Sequence, residues 1–362
     1  MLYWLLVPLR KYFSLLNVFR YITVRTALAG ITALLISYLL GPWLISLLRK
    51  NRVGQEIRPE GPQSHYNKKG TPSMGGILIL ASTLVPTLLW GNLNNIYVWL
   101  AVMTMFFYGL IGFWDDFLKF KKKRSLGLIA RYKFLFQSLL AVAIGLVLIY
   151  LGLHGKFNLH LSFPFLKKWF PYLGWLYLPW IVFILVGASN AVNLADGLDG
   201  LAIGLTLISA SALTALTYIV GNARWSGYLG ISWVPQAGEL TVFAGALSGA
   251  CLGFLWYNCH PAQVFMGDVG ALSLGGTLGV IAILIKQEFL LFSVAGVFIL
   301  EAISVLLQVS YFKLSGGKRI FKMAPLHHHF ELAGWPEEKI VIRFWILAII
   351  FALFSLATLK LR

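Results

Sequence analysis

The sequence predicts an all-α, polytopic integral membrane protein: a single domain over residues 1–362, with ten transmembrane helices and an N-terminal interfacial helix. Three observations carry that prediction. Hydrophobic residues make up 59% of the chain, against about 45–50% in soluble domains. Charged residues make up only 12%, about half of the usual quarter. Apolar runs recur from residue 26 to residue 359, each in the range of about 17–25 residues that crosses roughly 30 Å of hydrocarbon as helix. With a mean hydropathy of +0.78, the composition excludes a soluble globular enzyme, a disordered chain and a disulfide scaffold.

The first 22 residues, which include Trp4, Pro8, Arg10 and Lys11, are too broken by basic residues to span. They are expected to lie at the interface, and no small-residue cleavage site follows them. Spans are then expected at 26–47, 73–90, 97–114, 134–153, 172–189, 201–220, 240–257, 269–285, 289–312 and 340–359. Helices are required because every backbone polar group must be satisfied inside lipid; the alternating ten-residue strands of a membrane barrel are not visible. Cys251 and Cys259 sit at the end of one span and form neither a disulfide framework nor a CxxC motif.

The net charge of +17 sits in loops, which points to positive-inside topology and anionic ligands or headgroups rather than nucleic acid. Segments 48–72, 115–133 and 313–343 hold 6, 7 and 6 basic residues, so that 19 of the 30 fall on one side. That side is expected to be cytoplasmic, with both termini on the other. All five aspartates, Asp115, Asp116, Asp196, Asp199 and Asp268, lie at span ends on the same side. Carboxylates gathered at one membrane face suggest a hard-cation site of the Mg2+ type, with oxygen ligands.

Five stretches carry the candidate chemistry. In Phe113-Trp114-Asp115-Asp116-Phe117-Leu118-Lys119 the adjacent acids point in different directions from a helix, while Asp115, Lys119 and Lys123 share a face at i, i+4 spacing. In Asn190-Ala191-Val192-Asn193-Leu194-Ala195-Asp196-Gly197-Leu198-Asp199-Gly200, Asn193, Asp196 and Asp199 recur every third position, as a polar stripe opening a helix. In Asn258-Cys259-His260-Pro261-Ala262-Gln263-Val264-Phe265-Met266-Gly267-Asp268, an aromatic precedes an acid by three, which suits a stacking platform beside a metal ligand. In Met323-Ala324-Pro325-Leu326-His327-His328-His329-Phe330-Glu331, the histidines can contact phosphate or substrate, brace a loop or bind zinc. The stretch from His65 to Gly76 mixes donors with flexible backbone but has no Walker A sequence, which excludes a pump of the P-loop kind. Glu301 and Gln308 lie inside the ninth span on one helical face, where polar groups face a bundle interior or a site.

With these residues in place the chain resembles the phospho-N-acetylmuramoyl-pentapeptide-transferases, a branch of the polyprenyl-phosphate N-acetylhexosamine-1-phosphate transferase superfamily. The likeness runs from Gly70-Thr71-Pro72-Ser73-Met74-Gly75-Gly76 through the carboxylate motifs to Gly334-Trp335-Pro336-Glu337. Ser73 stands where the family often has threonine, which keeps the hydroxyl. The resemblance implies ten membrane helices in the bacterial inner membrane, a cytoplasmic active site, termini outside, a homodimer and a Mg2+ requirement. It implies transfer of phospho-N-acetylmuramoyl-pentapeptide from its UDP conjugate to undecaprenyl phosphate, giving lipid I and UMP. By the same resemblance Asp268 is a metal ligand with Asp115 and Asp116 beside it. Direct attack by the lipid phosphate is favoured over a covalent aspartyl intermediate. Phe265 and Gln308 are similar to the family's uracil contacts, and Asn190, Asn193, Asp196, Asp199, Asn258 and His328 to its nucleoside and substrate contacts. Ser73, His327 and His329 are expected beside the substrate, and Lys68, Lys119, Lys123 and Lys133 at its phosphates. Two other readings stay open: a sister transferase that uses UDP-N-acetylglucosamine, and a membrane transporter.

Overall fold

A computed structural model describes residues 1–51, 68, 70–122, 127–163 and 169–361. Lys123, one of the expected phosphate contacts, lies outside the described residues. Fourteen α-helices run in the order α1 (Leu2–Leu9), α2 (Ile22–Lys50), α3 (Gly76–Trp90), α4 (Ile96–Lys122), α5 (Ala130–Leu153), α6 (Tyr177–Ala195), α7 (Leu201–Gly221), α8 (Ala223–Leu229), α9 (Ala237–Asn258), α10 (Gly267–Leu284), α11 (Glu288–Val294), α12 (Gly296–Leu314), α13 (Leu326–Leu332) and α14 (Glu337–Thr358). Among the described residues there is no strand, only an isolated bridge between His160 and Tyr172.

Among the described residues, nine helices are long and apolar enough to cross a membrane, and α3 is a shorter apolar helix of 15 residues. Together they occupy the ten expected spans. The N-terminal segment forms α1 and a 3-10 turn over Ser14–Arg20 ahead of α2, as a separate short element. Several boundaries are shifted, with α4 running on to Lys122 and α6 lying at Tyr177–Ala195, and two differences go beyond a shift of ends. The span expected at 289–312 is broken at Ala295, where the backbone (φ −95°, ψ 24°) leaves the helical range and divides α11 from α12. The stripe expected to open a helix is split between two: Asn193 lies in the last turn of α6, Asp196 caps it, and Asp199 directly precedes Gly200, the N-cap of α7.

Helix α10 is the axis of the bundle. It packs against α4, α6, α3 and α7 and is buried along nearly its whole length. Lipid is as apolar as leucine, so helices in a membrane gain association energy mainly from close packing, and small residues permit that approach. Gly270, Gly275, Gly276 and Gly279 provide it, with Gly275 against the Ala188 carbonyl and Gly276 against the Tyr108 ring. α2 and α9 form a second close pair through Gly30, Gly245 and Gly249.

Charges inside the bundle are paired. At one end Arg25, 1% exposed, makes two 2.7 Å bonds to the carboxylate of Glu239. Nearby, Lys286 is buried against Tyr177 and Glu288. The opposite end holds the candidate residues that are described.

Candidate active site

This end is where α4, α6, α9 and α12 finish and α3, α5, α7, α10 and α14 start. α4 continues past its apolar stretch to Lys122, which carries Asp115 and Asp116 into its last turns. Lys119 follows one turn later, its Nζ 2.6 Å from Asp115 Oδ2 and 3.2 Å from Asp116 Oδ1. The same ammonium lies 3.0 Å from Asp268 Oδ2, in the first turn of α10. From α5, Lys133 donates to that oxygen at 2.6 Å. The other acid oxygens meet backbone donors: Leu128 N–H donates to Asp115 Oδ1 (2.8 Å) and Val269 N–H to Asp116 Oδ2 (3.2 Å). The second bond caps α10, whose positive N-terminal end also favours the local negative charge.

Two glycines allow this convergence. A Cβ on Gly112 would lie 2.2 Å from the Asp268 carbonyl oxygen, so α4 and α10 meet backbone to backbone. Gly267 has φ +71°, and a Cβ there would lie 2.5 Å from Asp116 Oδ2. That backbone region disfavours any residue with a side chain.

Asp115, Asp116 and Asp268 each offer a carboxylate oxygen within 4.8 Å of the others. This is the hard oxygen donor set that Mg2+ takes. With Lys119 and Lys133 the cluster holds three negative and two positive groups, so a negative charge is left for a cation to balance. Asn193 extends it: with its amide oriented to satisfy both neighbours, it donates to Asp268 Oδ1 (3.0 Å) and accepts from Lys133 Nζ (3.1 Å). Burial pushes the Asp196 carboxyl up to about 7, with the negative charges of Asp268 and Asp116 adding to the rise.

A second polar centre gathers four chain segments. Lys68 Nζ donates to Asp199 Oδ1 (2.7 Å) and Glu337 Oε1 (2.6 Å). Glu337 Oε1 also accepts the Asp199 N–H at 2.7 Å. Asp199 Oδ2 accepts the Ala262 N–H (3.1 Å) and lies 3.1 Å from His260 Nδ1. Asn258 braces the same loops, accepting from Gly200 N–H and donating to the Val264 carbonyl. Phe265, half-buried, is fixed by its backbone, which pairs with Pro72 and Gly75 and sets the start of α3 beside it. Ser73 stands there too, against Gly267.

Comparison with known proteins places the chain. Residues 98–286 match the Glycosyl transferase family 4 model, and residues 68–80 match signature 1 of the phospho-N-acetylmuramoyl-pentapeptide-transferases. A curated relative of that name from Desulfatibacillum aliphaticivorans is 56% identical over 365 residues. Others from Koribacter versatilis and Thermodesulfovibrio yellowstonii are 53% identical over 380 and 54% over 362. In all three, 100% of each chain is covered. The chain belongs to the phospho-N-acetylmuramoyl-pentapeptide-transferase family. It is a transferase-family membrane protein, and the transporter reading falls away. The family signature starts on Lys68 and ends in the first turns of α3, so it covers one arm of the second centre. The family 4 match runs from α4 to the end of α10 and takes in all five aspartates.

The remaining family-motif residues are turned inward. Asn190 Nδ2 donates to Gln137 Oε1 (2.7 Å) on α5 and to the Val186 carbonyl. Gln308 accepts from Ile320 and Phe321 N–H and donates to the Phe321 carbonyl, which pins the loop after α12. His327 is 0% exposed, its Nδ1 3.3 Å from Glu301 Oε2, and its ring packs on Gly197. His328 Nδ1 lies 3.0 Å from Glu331 Oε2, and His329 Nδ1 accepts from Lys322 N–H. The triple-histidine stretch thus presents no set of free zinc ligands. Sequence reasoning passed over Glu337 and His260 as site residues. An acid just after proline at a helix start reads as dipole complementation, and a single histidine before proline carries no spacing signal.

Proposed function

We propose that the chain transfers phospho-N-acetylmuramoyl-pentapeptide from UDP-N-acetylmuramoyl-pentapeptide to undecaprenyl phosphate, giving lipid I and UMP. The observation that carries this is the meeting of Asp115, Asp116 and Asp268 with Lys119 and Lys133 at abutting helix ends. A lipid phosphate can reach a site only at the membrane surface, and helix ends lie there. An oxygen of the lipid phosphate forms a bond to the sugar-side phosphorus while the bond from that phosphorus to the UMP oxygen breaks. UMP leaves with the electron pair. Phosphate monoesters have a second pKa of about 6, so the nucleophile is mostly dianionic at neutral pH and needs no strong base. Direct attack is therefore favoured over a covalent aspartyl intermediate.

Lys119 and Lys133 stand where charge builds on the transferring group, and fixed positive groups there lower the barrier. Asp268, with Asp115 and Asp116, would hold Mg2+, which supplies charge neutralisation for the pyrophosphate. Ser73, Asn190, Asn193, Asp196, Asp199, Asn258, Phe265, Gln308 and the histidine loop are the proposed surroundings of the donor. The 19 basic residues on the site's side support a cytoplasmic site and termini outside the bacterial inner membrane. A homodimer is the proposed assembly.

The sister reaction with UDP-N-acetylglucosamine would use the same carboxylates, so donors must discriminate. A site shaped for the lactyl-peptide arm gains transition-state binding that the smaller donor cannot supply. Radiolabelled lipid product is expected from the muramoyl-pentapeptide donor with undecaprenyl phosphate and Mg2+. UDP-N-acetylglucosamine is expected to be slower by at least about 10²-fold, or about 2.7 kcal/mol. Comparable rates would move the chain to the sister reaction.

A further inference from the structure

One charged group at this end of the bundle has no part in the chemistry above. Glu337 opens α14, a helix that contributes nothing to the Asp115–Asp116–Asp268 cluster. Its side chain is 10% exposed and its bonds are fully directed. Oε1 accepts from two donors at once, Lys68 Nζ at 2.6 Å and the Asp199 N–H at 2.7 Å, while Oε2 lies 3.5 Å from His260 Nδ1. Lys68 needs only one carboxylate for neutrality, and Asp199 already supplies one at 2.7 Å. Asp199 is itself 97% covered and bonded to Ala262 N–H. The second carboxylate is therefore surplus as charge, and its value lies in geometry.

That geometry ties together segments that are far apart in sequence: Lys68 in the segment ahead of α3, the α6–α7 loop, the α9–α10 loop and the start of α14. A lysine has four rotatable bonds and loses about 1.5–2 kcal/mol of rotamer freedom when fixed. A backbone N–H left without its acceptor costs about 1–3 kcal/mol. Glu337 meets both costs with one oxygen. Neither of its oxygens is placed among the three acids or the two lysines of the reacting cluster.

We infer that Glu337 is a positioning residue. It holds Lys68 and the Asp199 loop in place before the nucleotide donor arrives, and acts on donor binding through those two groups. The inference rests on the donor reading proposed above. Loss of the carboxylate should raise the donor KM and leave the lipid-phosphate KM and kcat little changed, because the reacting phosphorus sits at the other cluster.

The test is a double-mutant cycle in the full-length protein, with UDP-N-acetylmuramoyl-pentapeptide as the varied donor. Glu337→Ala is expected to raise donor KM by about 10–50-fold, the equivalent of one or two buried charged hydrogen bonds, and Lys68→Ala by a similar factor. The double variant Lys68→Ala/Glu337→Ala should fall well short of the product of the two single effects, since part of what Glu337 does passes through that ammonium. Glu337→Gln keeps an acceptor oxygen of the same reach, guards against a folding failure of the alanine variant, and should restore most of the KM. Two single effects that multiply in the double variant would overturn the inference, as would a fall in kcat with donor KM unchanged. Wild-type protein that forms no lipid product from this donor would instead overturn the proposed function.

Discussion

Gly267→Ala tests whether the carboxylate cluster depends on the close approach of the α10 start to the Asp116 side chain. Two costs are separable. The glycine has φ +71°, and placing a side chain in that region costs about 1–2 kcal/mol. The new Cβ would also stand 2.5 Å from Asp116 Oδ2, against the 3.4 Å at which ordinary contact begins. The carboxylate must therefore give way by about 0.9 Å. It cannot do so and keep its bond from Val269 N–H at 3.2 Å and its contact with Lys119 at 3.2 Å. A displacement of about 1 Å at a reacting centre costs about 10²-fold in rate. The expected result is a stability loss of about 1–2 kcal/mol with a turnover loss of about 10²-fold, read by thermal unfolding in detergent and by lipid-product formation. Gly155→Ala is the control: φ is +69°, yet nothing lies within 4 Å of the new Cβ. It should lose similar stability and keep its turnover. Wild-type turnover in Gly267→Ala, or an equal turnover loss in Gly155→Ala, would refute the close-contact argument.

Asp115→Asn, Asp116→Asn and Asp268→Asn should each lower turnover by about 10²–10³-fold, the usual cost of one electrostatic group at a transition state. Retained activity and Mg2+ dependence in Asp268→Asn would remove it as a metal ligand. Chelation of divalent ions should abolish lipid-product formation, and added Mg2+ should restore it; activity in the chelator would exclude a metal requirement. Arg25→Ala leaves Glu239 buried without its two 2.7 Å bonds, so stability should fall by about 3–5 kcal/mol while turnover below the unfolding transition is kept. A thermal midpoint equal to wild type would mean the pair is neutral. In a background without Cys251 and Cys259, single cysteines at 62 and 326 should be labelled only from the cytoplasmic side, and one at 93 only from outside. The reverse pattern would invert the topology.

The spans were legible because lipid forces a simple rule, that some twenty apolar residues must close their own hydrogen bonds. What the rule does not contain is where a helix stops inside protein. Gly296 follows Ala295 at the break, but an isolated glycine in an apolar run is a weak stop signal, and only its close packing against the Phe351 ring of α14 shows why it stands there. Asn193, Asp196 and Asp199 show the converse. A polar residue every third position looks the same whether it ends a helix or begins one, and here the first two end α6 while the third precedes α7. The five aspartates stood out as a set since a membrane protein has little other use for acids on one face. Gln308 illustrates a different limit. A polar side chain in an apolar span marks a place where hydrogen bonds matter. It does not say whether they go to a ligand or to the backbone of Ile320 and Phe321, as they do here.

On the proposed reaction, the two polar centres divide the labour between them. In the Asp115–Asp116–Asp268 cluster, two lysines share three acids and Lys119 touches all of them, so the positive charge is spread and available to an incoming phosphate. In the other centre, Lys68 is enclosed by Asp199 and Glu337, and each acid is tied to further backbone or ring donors. The first arrangement suits charge that appears only during the reaction, and interactions made only then act on kcat. The second suits a rigid wall for the part of the donor that does not react, and such contacts act on KM. Asn193, in the last turn of α6, and Asp196, its cap, stand between the two, Asn193 bonded to Asp268 and Lys133 and Asp196 three residues before Asp199. Substitutions there should disturb kcat and KM together, whereas those confined to Lys119 or Glu337 should separate them.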